Sequence, residues 1–203
     1  MKQIVLAWLM TVSLLQAATI RVPQDQATIQ AGINAAVNGD TVLVGPGVWV
    51  ENITLLSKTI VVTTALGADA TTLRGATTST LVNCNGNIGP TGEFSGFTLT
   101  NSVATDIIEV KGGSQIRIRR NKFVELTGDL TLIFCHLSNP LIERNTFCSN
   151  TVGNACIGVY DGASNAKIIN NTFYNNSRGF YSLSVLPVAK NNIVVNSTEY
   201  GIH

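Results

Sequence analysis

Six side chains carry most of the chemistry this sequence offers: Glu109, Lys111, His136, Tyr160, Asp161 and Tyr181. Glu109 and Asp161 are carboxylates and Lys111 is a cation. His136 is the only histidine before the last residue, His203. Hydrogen bonding to a polar substrate and proton transfer both lie within the range of these groups. Tyr160 and Tyr181 add amphipathic rings of the kind on which a sugar can rest. The set follows a repeat. Lys111, Cys135, Asp161 and Ser182 each stand ten residues before Asn121, Asn145, Asn171 and Asn192, with Arg178 close by. Lys111 and Asp161 would fall two repeats apart, about 10 Å, too far for a direct pair. As outward-facing groups the six are expected to bind substrate; the plain alternative is solvated surface side chains.

Other clusters point less clearly. Arg117, Arg119, Arg120 and Lys122 form the one local basic group, and strand alternation puts Arg117 and Arg119 on one outer face. Binding to an acidic polysaccharide is one use of such a face, and solubility the other. No metal or cofactor is expected. The cysteine spacings do not match zinc ligands, and the acids are scattered singly, whereas calcium needs them clustered. Cys148 and Cys156 bracket a turn-like loop that could bring them together as a disulfide. The alternative is that all four cysteines are small buried apolar residues, and Cys84 and Cys135 read as unpaired.

The elements that must hold these groups are short and repeated. Ile118-Arg-Arg-Asn121-Lys-Phe123, Ile142-Glu-Arg-Asn145-Thr-Phe147 and Ile168-Ile-Asn-Asn171-Thr-Phe173 are copies of one unit, preceded by Phe94-Ser-Gly-Phe97 and followed by Ala189-Lys-Asn-Asn192. Spacings between the marked positions 97, 121, 145, 171 and 192 are 24, 24, 26 and 21. A repeat of this size means a stacked array. It is too short for a propeller blade and lacks a leucine-rich frame. It fits a coil of about three short strands, each pairing in parallel with its copy in the next coil. The Ile and Phe of each unit then stack inside. The Asn column occupies a tight bend, where asparagine tolerates left-handed backbone and forms a side-chain ladder. These asparagines are read as structural.

Composition agrees. The chain has 203 residues, 45% hydrophobic and only 12% charged, with 23 Thr and 20 Asn. Such uncharged polarity suits β-structure with many turns. A net charge of +1 argues against a nucleic-acid surface, which needs a basic face. Ile29, Ile33, Ala36 and Val37 give one apolar face to a short helix within Ala27–Val37, placed to cover the first coil. Before it, Met1-Lys2, the apolar stretch Ile4–Leu15 and Gln16-Ala-Ala18 read as a secretory signal peptide over residues 1–18. No other run is long enough to cross a membrane. Residues 19–203 are then the mature domain, expected in the secreted, periplasmic or cell-surface space. Glu199–His203 reads as the opening strand of another coil, so the sequence is expected to be the N-terminal piece of a longer array.

The segment Val22–Ile53, VPQDQATIQAGINAAVNGDTVLVGPGVWVENI, resembles the opening of pectin-lyase-like right-handed parallel β-helix proteins. The Ile-x-x-Asn-x-Phe copies resemble the repeat of the same superfamily. The likeness spans about residues 21–203. It implies an all-β, right-handed parallel β-helix with an N-terminal capping helix. In members of that superfamily that act on polysaccharide, sugar lies along the outer face of one sheet, and polysaccharide is therefore the partner it implies. It does not imply an activity. The Asn-Thr-Asp, Asp-Asp and Gly-His-Gly signatures of polygalacturonase-like sites, the aspartate contexts of pectin methylesterases and an epimerase-like Asp-Pro-His do not occur. The expectation is a secreted or cell-surface module that binds carbohydrate or serves as a scaffold. The alternative is a lyase or glycoside hydrolase whose site lies partly beyond residue 203.

Overall fold

The computed structural model describes residues 16–100, 106–162, 165–184 and 186–203. The expected signal peptide falls almost wholly on residues outside that set. Among the described residues, twenty-four short strands and one helix follow one another. Almost every strand pairs with its copy one coil away, and every pairing is parallel. Three long sheets result, with a fourth of two strands, Thr127–Gly128 and Thr151–Val152, at one corner. Sheet A has eight strands, from Thr19–Val22 to Val188–Lys190; sheet B has seven, from Gly47–Val50 to Ile193–Val195; sheet C has seven, from Ile53–Thr54 to Tyr200–Ile202. The coil is therefore three-sided, as the repeat length requires.

The apolar columns fill the interior. Val62, Phe94, Ile118 and Ile142 are in register in sheet A, and Leu73, Leu99, Phe123, Phe147 and Phe173 in sheet B. All are fully buried. The Phe123, Phe147 and Phe173 rings stack at 4.6 and 4.7 Å between centroids. Burying such rings is the main drive for stacking one coil on the next.

The Asn ladder forms, with one correction to its backbone. Left-handed geometry belongs to the residue before each asparagine: Arg120 (φ 55°), Arg144 (56°), Asn170 (56°) and Asn191 (54°). The asparagine itself turns inward. Asn145 Nδ2 donates to the Ile118 carbonyl of the preceding coil at 2.9 Å, and its Oδ1 accepts from Asn121 N at 3.0 Å. A second ladder, not foreseen, runs through Asn150 and Asn176 at the next corner. Leu126 N donates to Asn150 Oδ1, and Asn150 N to Asn176 Oδ1, at 3.0 and 3.1 Å. Where a tight corner takes backbone groups out of the sheets, these carboxamides satisfy them.

The helix α1 (Ile29–Ala35) is shorter than the apolar pattern suggested and covers the first coil. Ile29 and Ile33 are fully buried. A Cβ on Gly32 would fall 2.9 Å from a Val42 methyl, so helix and sheet touch closely there. The first coil also caps both helix ends. Glu51 accepts from Ile29 N and Gln30 N, and Lys58 Nζ donates to the Ile33, Asn34 and Ala36 carbonyls at 2.8–2.9 Å. A carboxylate at the N-terminus and an ammonium at the C-terminus match the helix's unpaired groups and dipole.

The Cys148–Cys156 bridge does not form; all four cysteines are free thiols. Cys148 points outward from sheet B, while Cys156 is fully buried beneath sheet C. The two lie on different walls of the coil, and the loop between them turns the corner. Among the described residues no helix is long and apolar enough to cross a membrane.

Candidate functional site

Four of the six predicted substrate-binding residues sit on sheet C: Glu109 on strand Asp106–Val110, His136 on Thr131–His136, Tyr160 on Ala155–Tyr160 and Tyr181 on Arg178–Ser182, with Lys111 directly after the first of these strands. Alternation turns Ile108, Ile133, Ile157 and Phe180 into the core. It leaves Glu109, Phe134, Gly158 and Tyr181 as one outward column. His136 and Tyr160 are partners in the column beside it.

One end of this face is charged. Glu109 accepts from Asn85 Nδ2 at 2.6 Å and pairs with the Lys111 ammonium. The same ammonium lies 5.1 Å from the Phe134 ring centre, a cation over an aromatic face. Asp106 begins the strand, half-buried, and accepts from Thr131 N at 3.3 Å. Burial pushes its carboxyl up to about 6, and nearby Glu109 adds to the rise, while the Thr131 bond and Lys111 oppose it. This holds the Asp106 carboxyl close to neutral pH.

The rest is aromatic. Phe134 stacks on Tyr160 at 4.9 Å, with His136 tilted 6.4 Å from Phe134. Tyr160 lies back across Gly158, where a Cβ would fall 2.5 Å from the ring. Burial raises its phenol. Glycine is needed at 158 because the ring occupies the side-chain space. Stacked rings offer a ligand only their edges, but the stack then opens. Tyr160 and Tyr181 are tilted by 45° at 5.9 Å. Tyr181 stacks on His203 at 5.4 Å, and Tyr200 is tilted by 42° to His203.

At that opening lies a pocket of about 270 Å3, lined by Asn154, Tyr160, Arg178, Tyr181 and Tyr200. The Arg178 guanidinium sits 5.5 Å over the Tyr200 ring and donates to Glu199 at 2.6 Å. Tyr200 OH donates to the Asn154 carbonyl at 2.5 Å. Three ring edges and faces, one guanidinium and a polar rim give room and hydrogen bonds for a ligand of one or two small rings.

Five of the six expected residues thus share one face. Asp161 does not join them: it is exposed in the corner turn after Tyr160, and its carbonyl accepts from Leu137 N. Counting ten back from each Asn misplaced it. Cys135 is level with Val110, Val159 and Ser182, so the corners differ in length and the count drifts. Cys135 itself points into the core, where burial pushes its thiol up. Phe134, Tyr200, Asn154 and Asp106 were missed. Alternation within Thr131–His136, counted from the strand rather than from the Asn column, would have found Phe134.

Arg117 and Arg119 do share an outer face, on sheet A, but not as a free basic patch. Arg119 pairs with Glu93 at 3.1 Å and Glu143 at 3.5 Å, and Arg117 with Glu143 at 3.5 Å. Lys122 pairs with Asp69. The carboxylates occupy neighbouring strands in register, Glu93 beside Arg117 and Glu143 beside Arg119. Among the described residues no three His, Cys, Asp or Glu side chains gather as metal ligands.

Comparison with curated proteins gives no match. The family described as right-handed β-helix region matches residues 69–203, about two-thirds of the chain. That span begins before the Asn-cornered coils and takes in all of the aromatic face. With three parallel sheets stacked coil on coil and the repeat in register throughout, the chain belongs to the right-handed β-helix family.

Proposed function

We propose that this protein is a secreted or cell-surface β-helix module that binds carbohydrate on the outer face of sheet C. The observation that carries the reading is the opening in the aromatic column at Tyr160, Tyr181 and Tyr200, with Arg178 at its edge. Tyrosine combines a large apolar face with a hydroxyl that can meet sugar hydroxyls. The signal-like leader in the sequence supports an extracytoplasmic location.

The test is binding of the purified chain to a panel of neutral and acidic polysaccharides by affinity electrophoresis. Retardation by at least one polymer is expected, with Tyr181→Ala weakening it about tenfold or more, a loss of about 1.4 kcal/mol. The melting temperature should barely move, since Tyr181 is only half-buried. Equal mobility with and without every polymer would sink the proposal.

A second reading, a polysaccharide lyase or glycoside hydrolase, rests on Asp106. A carboxyl near pH 6 beside Glu109, Lys111 and Tyr160 is the kind of group that can hold or pass a proton at neutral pH. Release of reducing or unsaturated ends from a bound polymer, abolished by Asp106→Asn, would favour it over simple binding.

A further inference from the structure

A second groove, of about 310 Å3, lies around the corner from the aromatic face, where sheet C turns into sheet A. The same corner of four successive coils lines it, and three of them contribute a carboxamide: Gln115, Asn139 and Asn165. Two cations, Arg117 and Lys167, stand on either side of Leu141, to which both are register partners. Pro90, Pro140 and Leu141 supply apolar surface, and no acidic residue lines the groove.

The polar groups here are not used up by the fold. Arg117 Nε is buried without a hydrogen-bond partner; Glu143, at 3.5 Å from Arg117, is shared with Arg119, and the register neighbour Glu93 pairs with Arg119 instead. Lys167 has no carboxylate partner among the described residues. The one described bond to a carboxamide side chain of the three is Asn165 N to Asn139 Oδ1, at 3.2 Å. Arg117 and Lys167 are two strands apart, about 10 Å at the backbone. Both side chains are long enough to converge on a single oxyanion above Leu141. A fork-shaped guanidinium and an ammonium together suit an oxyanion, and the three amides suit hydroxyls around it.

We propose that this groove is a separate binding site for an oxyanion carried on a hydroxylated unit: a carboxylate or sulfate group of an acidic saccharide. Arg117 and Lys167 hold the oxyanion. Gln115, Asn139 and Asn165 bond the hydroxyls, and Pro140 and Leu141 lie under the apolar face of the ring. The site shares no lining residue with the tyrosine pocket, so either can stand if the other falls.

The test is affinity electrophoresis in dextran sulfate, in polygalacturonate and in neutral dextran, the first two separating sulfate from carboxylate. Lys167→Gln removes one cation, and Gln115→Glu sets a charge into the groove without touching the core; Lys190→Gln is the control for general charge, an exposed lysine elsewhere on sheet A. Wild type is expected to bind at least one of the acidic polymers, with Lys167→Gln and Gln115→Glu each weakening it about tenfold. Lys190→Gln should bind like wild type, and no variant should change the mobility in neutral dextran. Failure of wild type to bind either acidic polymer would overturn the proposal. So would equal losses in Lys167→Gln and Lys190→Gln, because the binding would then report net charge alone.

Discussion

Asn145 Oδ1 accepts two hydrogen bonds from Asn121, one from its backbone N–H at 3.0 Å and one from its side-chain Nδ2 at 3.3 Å. The same pattern recurs between Asn171 and Asn145 at 2.9 and 3.0 Å. A single oxygen therefore closes the corner of the coil before it. All of these atoms are buried, so no water can replace it.

Removing that oxygen strands several buried donors. Asn145→Ala also leaves the Ile118 carbonyl without its partner. Each orphaned buried group costs about 1–3 kcal/mol, so a loss of at least about 3 kcal/mol is expected in chemical denaturation. Asn145→Asp should do no better: it keeps the acceptor but turns a carboxylate oxygen toward the Ile118 carbonyl. Asn192→Ala, whose ladder is only partly buried, should cost clearly less.

Stability should depend on pH through Asp106. Its carboxyl titrates at about 6 in the fold, above the ordinary aspartate value of 3.8. The folded state thus favours the protonated acid. This contribution is present below pH 4 and is lost as pH rises through about 6. One pKa unit corresponds to about 1.4 kcal/mol, and solvent contact at a half-exposed site discounts the shift to a loss of about 1–2 kcal/mol. Thermal melts between pH 4 and 7.5 should show this decline in wild type and a flatter profile in Asp106→Asn. Parallel profiles would mean that Asp106 is ordinary in the fold.

Gly158 and Tyr160 should be coupled. Gly158→Ala drives a methyl into the Tyr160 ring and should cost about 1–3 kcal/mol by overpacking. In a Tyr160→Ala background the same change meets no ring, so most of the penalty should vanish. A double-mutant cycle reads this directly. Additive effects would place the ring elsewhere in solution.

Thiol labelling should sort the cysteines. Cys148 is half-exposed, while Cys84, Cys135 and Cys156 are fully buried with burial raising each thiol. A thiolate reagent should modify one cysteine quickly under native conditions and the other three only on unfolding. Reaction of none without prior reduction would point to an oxidised pair.

Much of this architecture is legible in the sequence because each coil writes the same instruction. Ile118 and Phe123, with their copies, mark inward positions of two sheets, and Asn121, Asn145 and Asn171 mark one corner. The site is less legible because it depends on the corners that vary. Asp161 was placed on the sugar-facing side by counting from Asn171, yet the longer corner between Val159 and Lys167 carries it off the sheet. Phe134 was overlooked beside Cys135, although the two alternate across the wall. The second ladder at Asn150 and Asn176 is written in only two coils, as Asn145-Thr-Phe-Cys-Ser-Asn150 and Asn171-Thr-Phe-Tyr-Asn-Asn176, and the coil before them carries Leu126 at that position, which breaks the column. The pairing of Arg119 with Glu93 and Glu143, and the contact of Arg117 with Glu143, are hidden for a similar reason: they run between coils, between residues 24–26 apart, where no local pattern shows them.

The carboxamide ladder also gives the rod an electrical direction. In every link the oxygen faces the preceding coil, and the amide nitrogen gives one hydrogen to the next asparagine's oxygen and the other to a backbone carbonyl of the preceding coil, so the carboxamides at this corner repeat one orientation. Dipoles joined head to tail polarise one another. The array is thus a row of like-oriented carboxamides, buried as far as the partly exposed link to Asn192. Ions, and other rods of the same kind, would meet chemically similar walls but distinguish one direction of the axis from the other.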